Sequence, residues 1–371
     1  MESHRQSGSE VSGGAGVKAA MVYGPGDMRW EEVRTPQPRA GEVRVRVAAC
    51  GVCGSDYPRI LKGTAHYYPI ILGHEFAGTV DEIGADVQGF QPGDPVVAIP
   101  LIPCMECPAC KAGQYSLCSG YNFVGSRRSG GYAEYAVVPA ANLQKLRTDA
   151  DLMNAALLEP ATVALHGIRR SGFTEGHTAC VVGGGTVGSF CTQWLRIEQA
   201  SKVAVIGRNR KRLAMNRRLG ANEVFSSLDE DYIKKALAAA EMSDSPEFGG
   251  YEYVFEAGGT PETVRTALRV AARRGTVCLL GTLNGEITFT KEEWEQILRK
   301  ELKLCGSWMS GGAPYPGEDW SRTVECYENG SLQVDSEMIS LQLSLSEAGR
   351  LPELLQSQDN RRGRIILDCG K

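Results

Sequence analysis

A glycine-rich turn near the middle of the chain constrains the fold more than any other feature of the sequence. Three glycines match the pattern G-x-G-x-x-G there: Gly183, Gly185 and Gly188. The turn follows an apolar run over residues 178–184 and precedes apolar residues spaced as on one face of a helix. Such glycines let the backbone approach a pyrophosphate at the N-terminus of the helix. We therefore predict a dinucleotide site whose contacts come from Gly183, Gly185, Thr186, Val187 and Gly188.

Strands and helices alternate on the C-terminal side of this turn. Short apolar strands are predicted over residues 203–206, 251–257 and 277–280. Helices are predicted over residues 210–219, ended by Gly220, and 261–272, capped by Thr260. This alternation is typical of a doubly wound parallel sheet, so we predict an α/β fold with a Rossmann domain over residues 166–300. Two residues after the last strand are further candidate cofactor contacts: Gly281 and Thr282.

The first half of the chain has the pattern of short strands. Residues 43–47 alternate apolar and polar side chains, and turn-forming Gly and Pro pairs follow at short intervals. We predict a mostly β catalytic domain over residues 17–165, completed by residues 301–371. Residues 1–16 contain four Gly and four Ser, and they are predicted to form a disordered tail.

The overall composition excludes several classes of partner. The net charge is −4, so no basic excess favours nucleic acid or an anionic membrane surface. No stretch approaches the roughly 20 apolar residues of a membrane helix, and residues 1–16 lack the apolar core of a signal peptide. The 12 cysteines are better explained by a reducing compartment than by disulfides. We therefore expect a cytoplasmic protein that binds a small molecule.

Four of the cysteines lie in one polar loop with the spacing of metal ligands. They follow the pattern C-x2-C-x2-C-x7-C within 15 residues: Cys104, Cys107, Cys110 and Cys118. Four thiolates match a closed, tetrahedral zinc site. Because such a site has no open coordination position, we predict a structural zinc that holds the loop.

A second group of metal-ligating residue types is dispersed along the chain. Cys53 lies in a Cys-Gly-Ser-Asp segment, His74 precedes Glu75, and Glu159 precedes a proline. A thiolate, an imidazole and one or two carboxylates are a suitable ligand set for a catalytic zinc. Taken singly, each residue is equally typical of a core cysteine, a buried histidine or a surface carboxylate, and the spacing alone does not join them.

Together these motifs resemble the zinc-containing medium-chain dehydrogenases/reductases from about residue 18 to residue 367. The resemblance rests on the glycine turn, the four-cysteine loop, residues 159–160 (EP) and three further segments: residues 53–56 (CGSD), 73–78 (GHEFAG) and 130–135 (GGYAEY). It implies a GroES-like catalytic domain interrupted by a Rossmann domain, with the active site between them. We expect a homodimer or homotetramer.

The resemblance also implies roles for the dispersed residues. Cys53, His74 and Glu159 hold a catalytic zinc, and Glu75 joins or replaces one ligand, which gives two zinc ions per chain. Ser55 matches the hydroxyl that relays the substrate proton. Zinc would lower the pKa of a bound alcohol, and its carbon would deliver hydride to a nicotinamide.

The end of the second Rossmann strand bears on the choice of cofactor. NAD-dependent enzymes usually carry an acidic residue there, which binds the ribose 2′-hydroxyl. This sequence instead has Gly207 followed by Arg208, with Arg212 four residues later. Because arginine binds phosphate well and a carboxylate would repel it, the sequence favours NADP over NAD.

Several segments resemble, within this family, the dehydrogenases of polyol phosphates: residues 56–60, 65–70, 125–128, 297–302 and 306–309. Their basic residues are candidates to bind a substrate phosphate: Arg59, Arg127, Arg128, Arg299 and Lys300. We therefore predict oxidation of a secondary alcohol of a polyol phosphate to a ketose phosphate. A free-polyol, amino-polyol or threonine-type dehydrogenase shares the zinc motifs and stays an alternative. A non-catalytic sensor of zinc and nucleotide is an alternative of another class.

Overall fold

The computed structural model describes residues 16–240, 249–357 and 363–370. Within these ranges the strands form one large mixed sheet, one parallel sheet and two small sheets. Residues 1–15 of the predicted tail lie outside the described residues, whereas Gly16 begins the first strand. No helix of the described ranges is long and apolar enough to cross a membrane.

The first half of the chain and its last strands form the mixed sheet and the small sheets. The small sheets contain β1 (Gly16–Gly24), β2 (Asp27–Arg34) and β4 (Ile70–Ile71), and the pair β7 (Leu101–Ile102) and β8 (Asn122–Phe123). The mixed sheet contains β3 (Glu42–Val52), β5 (Glu75–Ile83), β6 (Pro95–Ala98), β9 (Tyr135–Pro139), β10 (Leu143–Lys145), β17 (Ile339–Ser344) and β18 (Arg364–Asp368). Its order is β10-β6-β5-β3-β18-β17, with β9 also paired to β3. The C-terminal strands thus join a sheet that the first half of the chain begins.

The other large sheet is entirely parallel among the described residues. It contains β11 (Thr178–Val182), β12 (Lys202–Gly207), β13 (Glu223–Ser226), β14 (Tyr251–Glu256), β15 (Ala271–Leu279) and β16 (Lys303–Gly306). The order β13-β12-β11-β14-β15-β16 is that of a doubly wound Rossmann sheet, with its switch point between β11 and β14. The predicted fold class is therefore confirmed. β16 pairs with β15, so this sheet extends beyond the boundary predicted at residue 301.

The helices in the described part of the chain are α1 (Asp56–Leu61), α2 (Pro108–Lys111), α3 (Leu152–Ala155), α4 (Leu158–Ser171), α5 (Thr186–Ile197), α6 (Arg210–Arg218), α7 (Tyr232–Ala239), α8 (Pro261–Val270), α9 (Lys291–Arg299), α10 (Glu318–Glu328) and α11 (Leu351–Gln356). The predictions of α5 and α6 are confirmed. α8 ends two residues earlier than predicted, because Ala271 pairs with Tyr251 and continues into β15.

α4 connects the two large sheets. Its buried residues Ala161 and Leu165 belong to the same apolar cluster as Trp194 of α5 and as Ala49 and Ile366 of the mixed sheet. The indole N–H of Trp194 donates to the carbonyl oxygen of Ala161 at 2.9 Å. This packing fixes the N-terminal turn of α4 relative to both sheets, and Glu159 lies in that turn.

Candidate functional site

The four-cysteine loop is a compact cluster of thiols. Cys104, Cys107, Cys110 and Cys118 each offer a sulfur, and all four sulfurs lie within 4.8 Å of one another. The N–H of Cys104 donates to Cys118 Sγ at 3.2 Å, and that of Cys107 donates to Cys104 Sγ at 3.4 Å. Backbone N–H groups at Cys110 and Ser119 lower the pKa of Cys107 to about 6. Clustered thiols with N–H donors directed at sulfur fit a closed tetrahedral zinc site.

The local fold explains how this spacing closes. α2 begins at Pro108, a favourable first residue for a helix, and Cys107 is its N-cap. The N–H of Lys111 donates to the carbonyl oxygen of Cys107 at 3.0 Å, so one helical turn brings Cys110 back towards Cys107. β7 and β8 pair at the two ends of the loop. The cluster is thus assembled almost entirely by its own segment.

A second cluster forms where two long strands of the mixed sheet meet. β3 and β5 are antiparallel, and their register places Gly51 opposite Glu75. Cys53 follows the end of β3 and His74 precedes the start of β5, so both lie at the same end of the strand pair. The ligand atoms of Cys53, His74 and Glu75 lie within 4.8 Å of one another.

Polar atoms of this second cluster are buried without hydrogen bonds. His74 Nδ1 and both carboxylate oxygens of Glu75 have no hydrogen-bond partner among the described residues. Arg364 Nη2 lies 3.0 Å from Glu75 Oε1 and supplies a positive charge, although the contact lacks hydrogen-bond geometry. Burial raises the pKa of Glu75 to about 8. Buried, unsatisfied carboxylate oxygens beside a thiol and an imidazole fit a metal that accepts all three ligand types, such as zinc.

The structure places two further predicted residues next to this cluster. Glu159 is buried, and burial raises its pKa to about 7, while the charges of His74 and Glu75 also act on it. It is not a member of the group in which all ligand atoms lie within 4.8 Å. Ser55 is exposed, and its hydroxyl accepts a hydrogen bond from Arg59 Nη1 at 3.1 Å.

Two charged residues that support the cluster were missed in the sequence. Asp56 is fully buried, accepts a hydrogen bond from the Tyr132 hydroxyl at 2.9 Å, and lies 3.7 Å from His74 Nδ1. A carboxylate beside a metal-binding imidazole usually fixes the orientation of the ring. The position of Asp56 beside Cys53 in the same motif was an available signal. Nothing in the sequence joins Arg364 to Glu75, because 288 positions separate them.

The glycine turn lies between β11 and α5, at the switch point of the parallel sheet. Gly183 has a φ of 111°, and a Cβ there would lie 2.6 Å from the backbone nitrogen of Gly258. A Cβ at Gly188 would collide with the carbonyl oxygen of Gly183. Both positions therefore exclude any side chain, as the nucleotide-binding turn requires.

The N-terminus of α5 is open to a ligand. Its N-cap is Gly185, which has no side chain to bind the first backbone N–H groups. The first bond of the helix joins the N–H of Ser189 to the carbonyl oxygen of Gly185. The N–H groups of Thr186 and Val187 precede that bond, which is the arrangement that binds phosphate at helix N-termini. Gly281 and Thr282 lie against the backbone of Gly259, in the loop that follows β14.

Basic residues lie near this turn. Gly207 is the last residue of β12, and Arg208 after it is exposed. A Cβ at Gly185 would lie 3.5 Å from Arg212 Nη1, so the Arg212 guanidinium is next to the turn. Asn209 begins α6 by accepting the N–H of Lys211 at 3.0 Å. The arrangement is positively charged where an NAD-binding carboxylate would lie.

Most of the basic residues predicted to bind a substrate phosphate make other contacts. These contacts are Arg128 with Glu42 (3.1 Å), Arg299 with Glu295 (2.7 Å), Arg59 with Asp56 (3.0 Å), and Lys300 with the carbonyl oxygens of Leu268, Arg269 and Ala271 (3.1, 2.9 and 3.0 Å). Arg299 and Lys300 lie at the end of α9, in the domain of the parallel sheet, and these contacts give no support to their predicted role. Arg127 has a different environment, described below.

Comparison with known proteins identifies both halves of this architecture. Residues 39–148 match the family model of the alcohol dehydrogenase GroES-like domain, and residues 186–329 match that of the zinc-binding dehydrogenases. Galactitol 1-phosphate 5-dehydrogenase of Escherichia coli K12 is 38% identical over 85% of this chain and 88% of the relative. L-threonine 3-dehydrogenase of Anaeromyxobacter sp. Fw109-5 is 30% identical over 92% of this chain and 96% of the relative.

Solved structures agree with these matches. Galactitol-1-phosphate dehydrogenase from Escherichia coli superposes with a TM-score of 0.85 and 34% identity, covering 95% of this chain and 99% of that chain. A protein from Sinorhizobium meliloti 1021, solved with bound NADP, has a TM-score of 0.84 and 29% identity, covering 96% and 100%. The chain therefore belongs to the zinc-containing medium-chain dehydrogenases/reductases and is a zinc-dependent alcohol dehydrogenase.

Proposed function

We propose that this protein oxidises a secondary alcohol of a polyol phosphate to a ketose phosphate, with NADP as the hydride acceptor. The observation that carries the proposal is the cluster of Cys53, His74 and Glu75, whose buried, unsatisfied carboxylate oxygens suit a catalytic metal. The 38% identity to galactitol 1-phosphate 5-dehydrogenase supports the substrate class.

Two zinc ions per chain would fill the two clusters. We assign the structural ion to Cys104, Cys107, Cys110 and Cys118, and the catalytic ion to Cys53, His74 and a carboxylate. Glu75 belongs to the cluster and Glu159 is buried beside it, so we propose that they share the carboxylate position. Glu75→Gln and Glu159→Gln should each retain part of the catalytic zinc, whereas the double variant should lose it. Complete loss in either single variant would overturn the sharing.

The residues of this chain position the reactants and move the proton. A bound zinc would supply a Lewis acid for the alcohol oxygen, and the nicotinamide would supply the hydride acceptor. Ser55 Oγ, two residues from Cys53, is exposed and can pass the alcohol proton to solvent. The Arg59 guanidinium, which donates to Ser55 Oγ at 3.1 Å, fixes this hydroxyl. Asp56 holds His74 in place from the protein side.

The preference for NADP rests on Gly207, Arg208 and Arg212. The similar structure from Sinorhizobium meliloti contains NADP, which supports the assignment. A charge-assisted contact to phosphate contributes about 1.5 to 3 kcal/mol, so Arg208→Asp should reverse the cofactor preference by one to two decades. The measurement is kcat/KM for NADP and NAD in both proteins. A clear NAD preference of the wild type would overturn the assignment.

A substrate panel separates the alternatives. The wild type is assayed at the reduced-nicotinamide absorbance band with galactitol 1-phosphate, free polyols, an amino-polyol and L-threonine. We expect the highest kcat/KM for the polyol phosphate, and a higher value for another substrate would replace it. No turnover at all, with only one zinc per chain, would favour a sensor of zinc and nucleotide.

We further propose a homodimer, or a homotetramer of such pairs, formed through the outer edge of the parallel sheet. β16 is the last strand of that sheet among the described residues. Leu304 of this strand is 46% exposed, and two apolar side chains of the preceding helix α9 are also exposed, Trp294 at 60% and Leu298 at 72%. An apolar edge strand of this kind readily pairs with a second copy. Leu304→Lys should lower the mass measured by light scattering, and an unchanged mass would exclude this edge.

We also propose that the protein is located in the cytoplasm. It is supported by the twelve cysteines, all of which are free thiols in the structure, as is typical of a reducing compartment. Microscopy of a fluorescent fusion in the source cells would test it, and an envelope signal would contradict it.

A further inference from the structure

Arg127 is an exposed arginine whose charge is not neutralised by any carboxylate among the described residues. Its guanidinium lies over the ring of Tyr121 at 4.3 Å from the centroid. No carboxylate of the described residues lies within ion-pair distance of it, whereas the neighbouring Arg128 binds Glu42 at 3.1 Å. Stacking on an aromatic ring fixes the plane of a guanidinium and leaves its N–H groups free to bind a ligand.

A row of aromatic rings connects Arg127 to the proposed metal cluster. Tyr121 contacts Phe123 edge to face, with 6.5 Å between the ring centroids. Phe123 in turn contacts the imidazole of His74 at 5.5 Å. The guanidinium is therefore two aromatic rings away from a proposed zinc ligand. A ligand with one end at the cluster can lie along these rings with its other end near Arg127.

Other basic side chains lie near Arg127. Burial lowers the pKa of His66, and the positive charges of Arg127 and Arg59 lower it further. His66 and Arg127 are both exposed, and Arg59 is partly exposed. Arg59 carries the buried Asp56 as its counter-ion, but Arg127 carries none among the described residues. A region with this excess of positive charge favours an anion.

We propose that Arg127 binds the phosphate of the substrate. The inference rests on the proposed function and adds the residue that selects the phosphorylated substrate. The name of the relative, galactitol 1-phosphate 5-dehydrogenase, puts the phosphate and the oxidised carbon near opposite ends of the polyol. Binding one end selects which of several similar hydroxyls reaches the metal cluster, because remote binding energy orients the reacting carbon.

The test compares galactitol 1-phosphate with galactitol in wild type, Arg127→Ala, Arg127→Lys and Arg299→Ala. We expect Arg127→Ala to lower kcat/KM for the phosphate by about 10- to 100-fold, chiefly through KM, and to affect galactitol much less. Arg127→Lys should recover part of the loss, because lysine restores the charge but not the forked donors. Arg299→Ala, which removes an exposed arginine paired with Glu295, should change neither substrate.

Calorimetry of galactitol 1-phosphate binding, together with these activity assays, distinguishes failure of the phosphate subsite from failure of the proposed function. If the wild type oxidises galactitol as well as its phosphate, the phosphate subsite is overturned and the dehydrogenase function stands. If Arg127→Ala loses equal activity on both substrates, Arg127 has no role specific to phosphate and the inference fails. If wild type binds the phosphate through Arg127 but oxidises no polyol, the subsite stands and the proposed function fails.

Discussion

The two clusters of metal-ligating residues are built in opposite ways. The four-cysteine loop gathers its ligands within 15 residues, using one turn of α2 and the pairing of β7 with β8. The cluster of Cys53, His74 and Glu75 depends on the register of β3 against β5, and Glu159 comes from α4. A site built by its own loop can bind metal with little help from the fold. A site that depends on strand register forms only when the two strands pair in the native register.

The clusters also differ in how the protein stabilises their ligands. Backbone N–H groups donate to sulfur in the loop, so the thiolates are stabilised from within the segment. In the second cluster, side chains from distant elements do this work: Asp56 lies beside His74, and Arg364 lies beside Glu75. The loop is suited to permanent binding, whereas the second cluster keeps unsatisfied atoms that a metal and a substrate can use.

Replacing Cys53 tests the catalytic role proposed for the second cluster, and we expect the largest effect from this variant. Cys53→Ala should lower kcat by about 10³-fold or more, equivalent to about 4 kcal/mol, because a ligand of the proposed catalytic metal is lost. Atomic emission should find one zinc fewer per chain, and circular dichroism should find the fold unchanged. Cys305→Ala, which removes a half-buried thiol outside both clusters, is the control. Normal activity of well-folded Cys53→Ala protein would refute the assignment.

Replacing a loop cysteine should give the reverse pattern. Cys107→Ser should destabilise the protein by about 3 kcal/mol, because a structural metal contributes to folding directly. For a domain of this size, that loss lowers Tm by about 6 to 12 °C. The remaining folded protein should retain most of its kcat. An unchanged Tm with full zinc occupancy would show that the loop does not need its metal.

We expect the smallest effect from replacing Asp56, the carboxylate that lies beside His74. Asp56→Asn keeps the shape of the side chain but removes its charge, so the zinc affinity of the second cluster should fall by about 10- to 100-fold. Competition with a chelator measures this affinity for each of the two ions. The affinity of the four-cysteine loop should not change, because the side-chain contacts of Asp56 are with His74, Arg59 and Tyr132. Equal weakening of both ions would indicate general destabilisation instead.

The same contrast explains what the sequence could predict. The glycine turn, α5, α6 and the four-cysteine spacing were predicted from local patterns, because short-range geometry creates them. Cys53, His74, Glu75 and Glu159 were joined only through a family resemblance, since register is not visible in spacing. α4 was not predicted as a helix, because Pro160, at its third residue, and Gly167, in its middle, both have low helix propensity.

Contacts between side chains were the least predictable. Arg127 and Arg128 are neighbours in the sequence, yet one stacks on Tyr121 and the other binds Glu42 and the carbonyl oxygen of Val137. The prediction treated both as phosphate ligands, because composition does not reveal which direction a side chain takes. The end of α8 was misplaced for a similar reason: Ala271 is an excellent helix former, but its pairing with Tyr251 outweighs that preference.

The place of β18 in the mixed sheet means that the two clusters can form at different stages of translation. β18 lies between β3 and β17, and its first residue, Arg364, supplies the positive charge beside Glu75. The four-cysteine loop is complete once residue 123 has left the ribosome, so it can take up metal on a nascent chain. The other cluster must wait until Arg364 has been translated. Its counter-charge therefore arrives last, and an unfinished polypeptide does not carry the complete site.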